Sequence, residues 1–219
     1  MSILYNPSPE CIKKLKWEGI QMGEICHVGI LLFDEVEVLD FAGPFEVFSI
    51  ALVPEQLDKP FLVQTVSQYG KMIKTRNGLI VQPNFSFENA SDFDIVIVPG
   101  GYGAEEIEIN NETVIQWIKE QSGKVELIAS VCTGAFLLAK AGLIDGKRAT
   151  THWMDIERLE REFPDVKVEK NSKFIDEGSI ITSGGISAGI NMSFHIIKRL
   201  LGEEVAKTTA KRMEYDIII

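Results

Sequence analysis

Residues 125–138 read Val-Glu-Leu-Ile-Ala-Ser-Val-Cys-Thr-Gly-Ala-Phe-Leu-Leu, an apolar strand pattern that runs through Cys132 directly into an apolar helix pattern. A cysteine between a strand and a helix occupies a sharp elbow, which lifts its side chain above the carboxyl end of the strand. Open α/β folds bind ligands at this edge of the sheet, and a helix N-terminus there favours a thiolate. The stretch therefore predicts that Cys132 is a nucleophile with a lowered thiol pKa, although a buried structural cysteine is an alternative.

Strand and helix patterns alternate through the rest of the chain as well. Strand patterns occur at residues 26–33, 61–67, 94–99, 124–131 and 179–182, and helical or loop-plus-helix sequence follows each of the first four. Residues 95–98 and 127–131 are apolar on both faces, which is typical of central parallel strands covered on both sides. The pattern predicts an α/β three-layer sandwich with a mostly parallel central sheet. Residues 166–168, 173–175 and 179–182 predict a small antiparallel excursion at one edge.

Three helices are placed by their boundary residues. Pro44 is expected in the first turn of a helix that ends near Leu52, and Asn111 is expected to cap a helix over residues 112–121. The pattern of residues 186–201 predicts a helix docked by one apolar stripe, with a polar face on which His195 is solvated.

The composition excludes several classes of protein. Lys and Arg total 22 against 32 Asp and Glu, and the formal charge of −10 disfavours nucleic acid and an anionic membrane surface as partners. No apolar stretch approaches the roughly 20 residues of a membrane helix. Cys11, Cys26 and Cys132 are too few for a disulfide framework, and neither they nor the histidines have metal-ligand spacing. We expect a cytoplasmic, metal-free protein with an extension at residues 1–23 and one domain at residues 24–219.

Other candidate site residues follow strands and are therefore expected at the same edge as Cys132. The glycine-rich loop after the strand at residues 94–99 places the Gly101 N–H where it can converge with the Thr133 N–H on one atom. Asp40 closes the loop after the first strand, where it is either an acid partner of the thiol or a turn residue. His152 follows a short strand and is a candidate orienter or proton relay.

In combination, several motifs resemble the ThiJ/PfpI superfamily of class I glutamine amidotransferase-like proteins, and within it the isocyanide hydratases. The resemblance spans residues 24–215 and includes Gly-Ile-Leu-Leu-Phe at 29–33, Gly-Pro-Phe-Glu-Val-Phe at 43–48, Val-Pro-Gly-Gly at 98–101, Val-Cys-Thr-Gly at 131–134 and Ala-Thr-Thr-His-Trp at 149–153. It implies a flavodoxin-like fold, a homodimer, and a cofactor-independent site. In that site Cys132 is the nucleophile, Asp40 is its acid partner, and Gly101 and Thr133 are backbone donors.

The resemblance further implies a lyase that hydrates a small-molecule isocyanide to an N-substituted formamide through a thioimidate on Cys132. Phe41, Trp153 and Ile186 are expected to line the substrate pocket. Thr133 stands where peptidase-like members carry a histidine, which disfavours proteolysis, and Asn191 replaces an aspartate that is frequent in related hydratases. Two alternatives remain open: a non-catalytic sensor of a ligand or an oxidant, and a glyoxalase-like or hydrolase-like activity on small carbonyl compounds.

Overall fold

A computed structural model describes residues 25–53 and 59–217 of the chain. The expected extension at residues 1–23, and Cys11 within it, lie outside the described residues. The strands are β1 (Cys26–Leu31), β2 (Phe61–Ser67), β3 (Ile73–Lys74), β4 (Ile80–Val81), β5 (Phe85–Ser86), β6 (Ile95–Val98), β7 (Leu127–Val131), β8 (Arg148–Ala149), β9 (Lys167–Val168), β10 (Phe174–Asp176) and β11 (Ile180–Ser183). The α-helices are α1 (Val38–Ile50), α2 (Glu112–Ser122), α3 (Gly134–Lys140), α4 (Ile156–Glu162), α5 (Ala188–Leu201) and α6 (Glu203–Arg212).

The described residues form a main sheet with the strand order β10-β11-β7-β6-β1-β2-β5. Neighbouring strands run parallel except for the antiparallel pair β10 and β11. Every residue of β6 and β7 is buried, because their Val, Ile, Leu and Ala side chains meet helices on both faces. Helices α1, α5 and α6 contact one another, while α2 packs on α3. The structure thus confirms the three-layer α/β/α sandwich and the five sequence-predicted strands. The strand at 61–67 keeps its predicted bounds, the strands predicted at 26–33, 94–99 and 124–131 are shorter, and the strand predicted at 179–182 lies one residue later.

The parallel register brings the loops of the candidate site to one edge. Val98 pairs with Ser130, and Val131 pairs with Ser183, so β6, β7 and β11 end side by side. The loops that begin at Pro99, Cys132 and Gly184 consequently open on the same carboxyl edge of the sheet. No helix within the described ranges is long and apolar enough to cross a bilayer.

Two predictions about secondary structure are wrong. The segment at 166–168 contributes β9, which pairs in parallel with β8 outside the main sheet, so only β10 forms the expected antiparallel excursion. Helix α1 begins at Val38, six residues before Pro44, and carries Asp40 in its first turn. Pro44 removes one backbone hydrogen bond inside the helix. Burial of Phe41, Val47 and Phe48 against the core offsets that loss.

Helix α5 is buried more widely than a single stripe. Both α1 and α6 pack on it, so Met192, Ser193 and Ile196 are buried in addition to the predicted apolar face. His195 is not simply solvated, since its Nε2 lies 2.7 Å from Asp176 Oδ2 and its ring packs on Phe174. The cap predicted for α2 is confirmed, because Asn111 Oδ1 accepts a hydrogen bond from the Val114 N–H at 3.5 Å.

Candidate active site

Cys132 occupies the elbow that its sequence predicts. Its φ of +56° lies in the left-handed region, which a residue with a Cβ adopts at a cost of about 1–3 kcal/mol. Its N–H donates to the carbonyls of Ser183 and Gly184 at 3.2 Å, and its own carbonyl accepts from Thr151 Oγ1 at 2.9 Å. These bonds to two neighbouring segments hold the strained turn in place. A Cβ on Gly134 would lie 2.1 Å from the Val98 carbonyl oxygen, so the elbow requires glycine there.

Asp40 is fully buried and held by two backbone amides. Its Oδ2 accepts from the Gly100 N–H at 3.0 Å, and its Oδ1 accepts from the Ile186 N–H at 3.1 Å. The carboxyl also shares a hydrogen bond with the Cys132 thiol. The sequence placed Asp40 in a loop, whereas the structure places it on a helix whose first turn faces the elbow. The predicted pairing of Asp40 with Cys132 is therefore present in the geometry.

The two groups of this pair hold their protons more tightly than isolated side chains do. Burial, reinforced by the nearby charge of Glu37, raises the pKa of Asp40 to about 7, against the opposing effect of its two amide bonds. Burial and the charge of Asp40 raise the pKa of the Cys132 thiol well above its usual range, and the Thr133 N–H only partly opposes them. The expectation of a lowered thiol pKa is wrong, because desolvation and the adjacent carboxyl outweigh the backbone donor.

The glycine-rich loop approaches the elbow through backbone atoms. A Cβ on Gly100 would lie 2.5 Å from the Thr133 nitrogen, so only glycine fits there. The Gly101 N–H donates to Thr133 Oγ1 at 2.9 Å, while the Thr133 N–H bonds the Cys132 sulfur. Thr133 is thus a backbone donor to the Cys132 sulfur, and its predicted donation to a reacting atom stays a prediction. Gly101 has its amide already engaged, so its role as a second donor to a reacting atom stays a prediction that requires this bond to be shared or exchanged.

His152 supports the turn that holds Asp40. Its ring fills the space beside Gly185, where a Cβ would lie 2.1 Å from the imidazole Cδ2. Its Nδ1 accepts from the Met154 N–H at 3.4 Å and lies 3.4 Å from Asp155 Oδ2. The ring therefore packs against the Gly185–Ile186 turn, and its role as an orienter or proton relay stays a prediction.

The three expected pocket walls lie in different environments. Phe41 packs in the hydrophobic core, whereas Trp153 is 77% exposed and Ile186 is 39% exposed. Trp153 lines a groove of about 550 Å³ together with Thr151 and Gly185, both of which contact the elbow or its support. Ile186 has a φ of +53°, which is unusual for a β-branched residue and marks a strained segment beside Asp40. Their contact with a substrate stays a prediction.

Sequence reasoning missed several groups of the site. Gly100 and Ile186 bind the Asp40 carboxyl through their N–H groups, although the sequence named Ile186 only as a pocket wall. A backbone donor leaves no side-chain signal in the sequence. Thr151 was named only as part of a motif, yet its hydroxyl bonds the Cys132 carbonyl. The glycine pair after an apolar strand was the one available signal for Gly100.

Comparison with known proteins identifies the family. The sequence profile of the DJ-1/PfpI family matches residues 26–199. The chain belongs to this family. It is 32% identical to an isonitrile hydratase of Pseudomonas putida over 190 residues, which cover 86% of this chain and 78% of the relative. It is 30% identical to the HTH-type transcriptional regulator GbdR of Pseudomonas aeruginosa over 87% of this chain, but spans about half (51%) of that regulator.

Solved structures agree with this assignment of the fold. A ThiJ/PfpI family protein from Pseudomonas syringae superposes with a TM-score of 0.79 at 21% identity, covering 99% of this chain and 83% of the other. DJ-1beta of Drosophila melanogaster superposes with a TM-score of 0.76 at 21% identity, covering 89% of this chain and all (100%) of the other. At this level of identity the likeness establishes the fold and leaves the activity to the site.

Proposed function

We propose that this member of the DJ-1/PfpI family is a cysteine-dependent, cofactor-independent hydro-lyase that converts an isocyanide to an N-substituted formamide. The pair formed by the elbow thiol of Cys132 and the buried carboxyl of Asp40 carries this proposal, because the pKa of Asp40 is about 7. A group that titrates near neutral pH can both accept and donate a proton within one catalytic cycle. The similarity to an isonitrile hydratase supports the choice of substrate.

The first step would add the thiol across the terminal carbon of the isocyanide. Asp40, in its carboxylate form, takes the proton of the Cys132 thiol as the sulfur attacks that carbon, and then delivers the same proton to the carbon. An S–H bond breaks, and one S–C bond and one C–H bond form, which gives the thioimidate Cys–S–CH=N–R. A thiol with a raised pKa suits this step, because the proton that the carbon needs is already held between the two side chains.

The second step would hydrolyse the thioimidate. Asp40 takes a proton from water as the water oxygen bonds the thioimidate carbon, and it delivers this proton to the imine nitrogen, which gives Cys–S–CH(OH)–NH–R. The hydroxyl proton then passes through Asp40 to the sulfur as the C–S bond breaks and the C=O bond forms, so the N-substituted formamide leaves and the thiol is restored. The sum is R–N≡C plus water, which gives R–NH–CHO. The Thr133 N–H would stabilise charge on the sulfur in both directions.

Sensing of a small ligand is the second candidate function. The similarity to GbdR over most of this chain favours it, since that relative is a transcriptional regulator. Sensing of oxidants is less well supported, because oxidation proceeds through a thiolate and the pKa of the Cys132 thiol is raised. A ligand sensor would bind an isocyanide or another small molecule without turnover.

The test is formamide production from a panel of alkyl and aryl isocyanides, followed by NMR. We expect turnover by the unaltered chain and none by Cys132→Ala. Cys26→Ala is the matched control, since Cys26 is also buried but lies in β1, and it should retain turnover. Trapping of the thioimidate on Cys132 by rapid acid quench and mass spectrometry would support the covalent route. Absence of turnover by the folded chain, or equal turnover by Cys132→Ala, would overturn the proposal.

A further inference from the structure

A second cavity lies away from the Cys132 site, between the edge strand β10 and the outer face of α5. Its volume is about 370 Å³, which is within the range of small-molecule sites. His195 lines the cavity wall and lies seven residues after Ala188, the first residue of α5. This places it roughly 10 Å along the helix from the end that adjoins the Cys132 site. Neither Cys132 nor Asp40 lines this cavity, so the proposed hydration leaves it without a role.

The floor of the cavity is apolar and includes two aromatic rings. Phe174, Phe194 and Ile217 line it, and Phe194 in turn stacks on Tyr215 with ring centroids 5.7 Å apart. The Phe174 ring lies 4.6 Å from the His195 ring. Fixed rings of this kind offer a flat surface to an aromatic or branched body, and their positions are set before any ligand arrives.

The rim of the cavity is basic in a chain whose formal charge is −10. Lys173, Lys198 and His195 line it, with the amide of Asn191, and none of the described residues that line it carries a carboxylate. Lys198 has a partner in Glu203 at 3.2 Å, but both side chains are more than a third exposed, so this pair contributes little. The rim therefore presents positive charge and hydrogen-bond donors above an apolar floor.

The imidazole of His195 is fixed by a network behind the cavity wall. Asp176 accepts from His195 Nε2 at 2.7 Å and from Arg199 Nη1 at 2.9 Å, and Arg199 also donates to the Gly178 carbonyl at 2.8 Å. The charges of Asp176 and Arg199 thus offset each other. Because Nε2–H is directed at Asp176, only the Nδ1 side of the ring remains for another contact.

We infer that this cavity, bounded by β10 and α5, binds a small organic anion with an aromatic or branched apolar body, such as an aromatic carboxylate. The body lies on Phe174 and Phe194, and the carboxylate faces Lys173, Lys198 and the Asn191 amide. A neutral molecule of the same shape lacks the charged contact with the rim. A bare inorganic or short-chain anion lacks the apolar contact with the two rings. The site is independent of the hydration proposed for Cys132.

The test uses benzoate as the probe, with benzyl alcohol as its neutral counterpart and acetate as the charge without the ring. Amide shifts of the ¹⁵N-labelled chain are followed during titration. We expect saturable shifts by benzoate that cluster at residues 173–176 and 191–198, and binding of the other two probes weaker by about tenfold or more. Scattered shifts, no saturation, or equal binding of benzyl alcohol or acetate would overturn the inference.

Charge variants provide the second arm. Lys173→Glu reverses an exposed charge at the rim and should weaken benzoate binding by about tenfold without a loss of folding. Lys124→Glu changes the net charge equally at an exposed position before β7, and should leave benzoate affinity unchanged. If both variants weaken the binding of benzoate to the same extent, benzoate is attracted by the overall charge of the chain and the cavity is not its binding site.

Discussion

At the scale of single residues, the chemistry of the site depends on a proton shared between Asp40 and Cys132. The pair is active when it holds one proton. With two protons it has no group that can act as a base, and with none it has no proton to donate. Burial raises the pKa of both groups, so the active form exists above the pKa of Asp40, which is about 7, and persists beyond the pKa of an ordinary thiol.

We therefore predict that kcat/KM for an isocyanide rises through a pH of about 7 and stays high into the alkaline range. Glu37→Gln should move the rising limb to lower pH, since the negative charge of Glu37 helps to raise the pKa of Asp40. Asp40→Asn should lose the limb together with turnover. A rising limb at the same pH in Glu37→Gln would show that Asp40 does not set it.

His152 provides a second prediction at this scale. Removal of its ring in His152→Ala leaves the Gly185–Ile186 turn unsupported, and the Ile186 N–H shifts relative to Asp40. We expect kcat to fall by roughly tenfold to a hundredfold, which is the effect of a small misplacement, and less than in Cys132→Ala. His195→Ala, in the second cavity, serves as the control and should retain turnover. A loss as complete as that of Cys132→Ala would give His152 a direct chemical role.

At the scale of elements, the site depends on how closely α1 and α5 approach each other. Helix α1 carries Asp40, and α5 follows directly after the turn whose amide binds it. Gly43 is the point of contact, because a Cβ there would lie 2.9 Å from Ile190 Cγ1. The glycine thus sets the separation that lets the Asp40 carboxyl reach the Ile186 N–H.

We predict that Gly43→Ala lowers the free energy of unfolding by about 1–3 kcal/mol, through overpacking of this contact, and lowers turnover with it. Addition of Ile190→Ala makes room for the new methyl group. In chemical denaturation the double variant should be less destabilised than the sum of the two single variants. Additive losses would place the strain of Gly43→Ala elsewhere.

At the scale of the whole molecule, the buried carboxyl of Asp40 couples stability to pH. An unfolded aspartate titrates at about 3.9, so between that pH and about 7 the folded state holds a proton that the unfolded state has lost. The stability of the fold therefore falls as the pH rises through this window. Above pH 7 the ionised carboxyl costs on the order of 4 kcal/mol.

We predict that Asp40→Asn removes this dependence from the free energy of unfolding measured by urea titration at a series of pH values. Between about pH 4 and 7, below the titration of an ordinary thiol, the difference between the two chains isolates Asp40, since other groups such as Asp176, whose pKa is lowered, act equally in both. Asp92→Asn, at an exposed position, should keep the slope of the unaltered chain. An unchanged slope in Asp40→Asn would mean that the carboxyl titrates near its ordinary pH.

The sequence alone determined the layered α/β fold, the buried strands, and the elbow at Cys132. These features depend on local order: an apolar run that passes through cysteine into a helix pattern, and glycines that follow strands. The sequence also named Asp40 and His152, because residues after parallel strands collect at one edge of the sheet. It misplaced the start of α1, since Pro44 is a local boundary signal and burial of the surrounding apolar residues outweighed it.

Only the tertiary structure decided the electrostatics of the site. The amides of Gly100 and Ile186, which lie 60 and 146 residues from Asp40, bind its carboxyl, and no local pattern predicts such pairs. The pKa of the Cys132 thiol is raised in the structure, whereas the sequence predicted a lowered value, and the reason is the same. A helix N-terminus argues for a thiolate when considered locally, whereas burial and a neighbouring carboxyl argue against it and depend on distant parts of the chain. Desolvation is a property of the whole fold, so it cannot be derived from the elbow by itself.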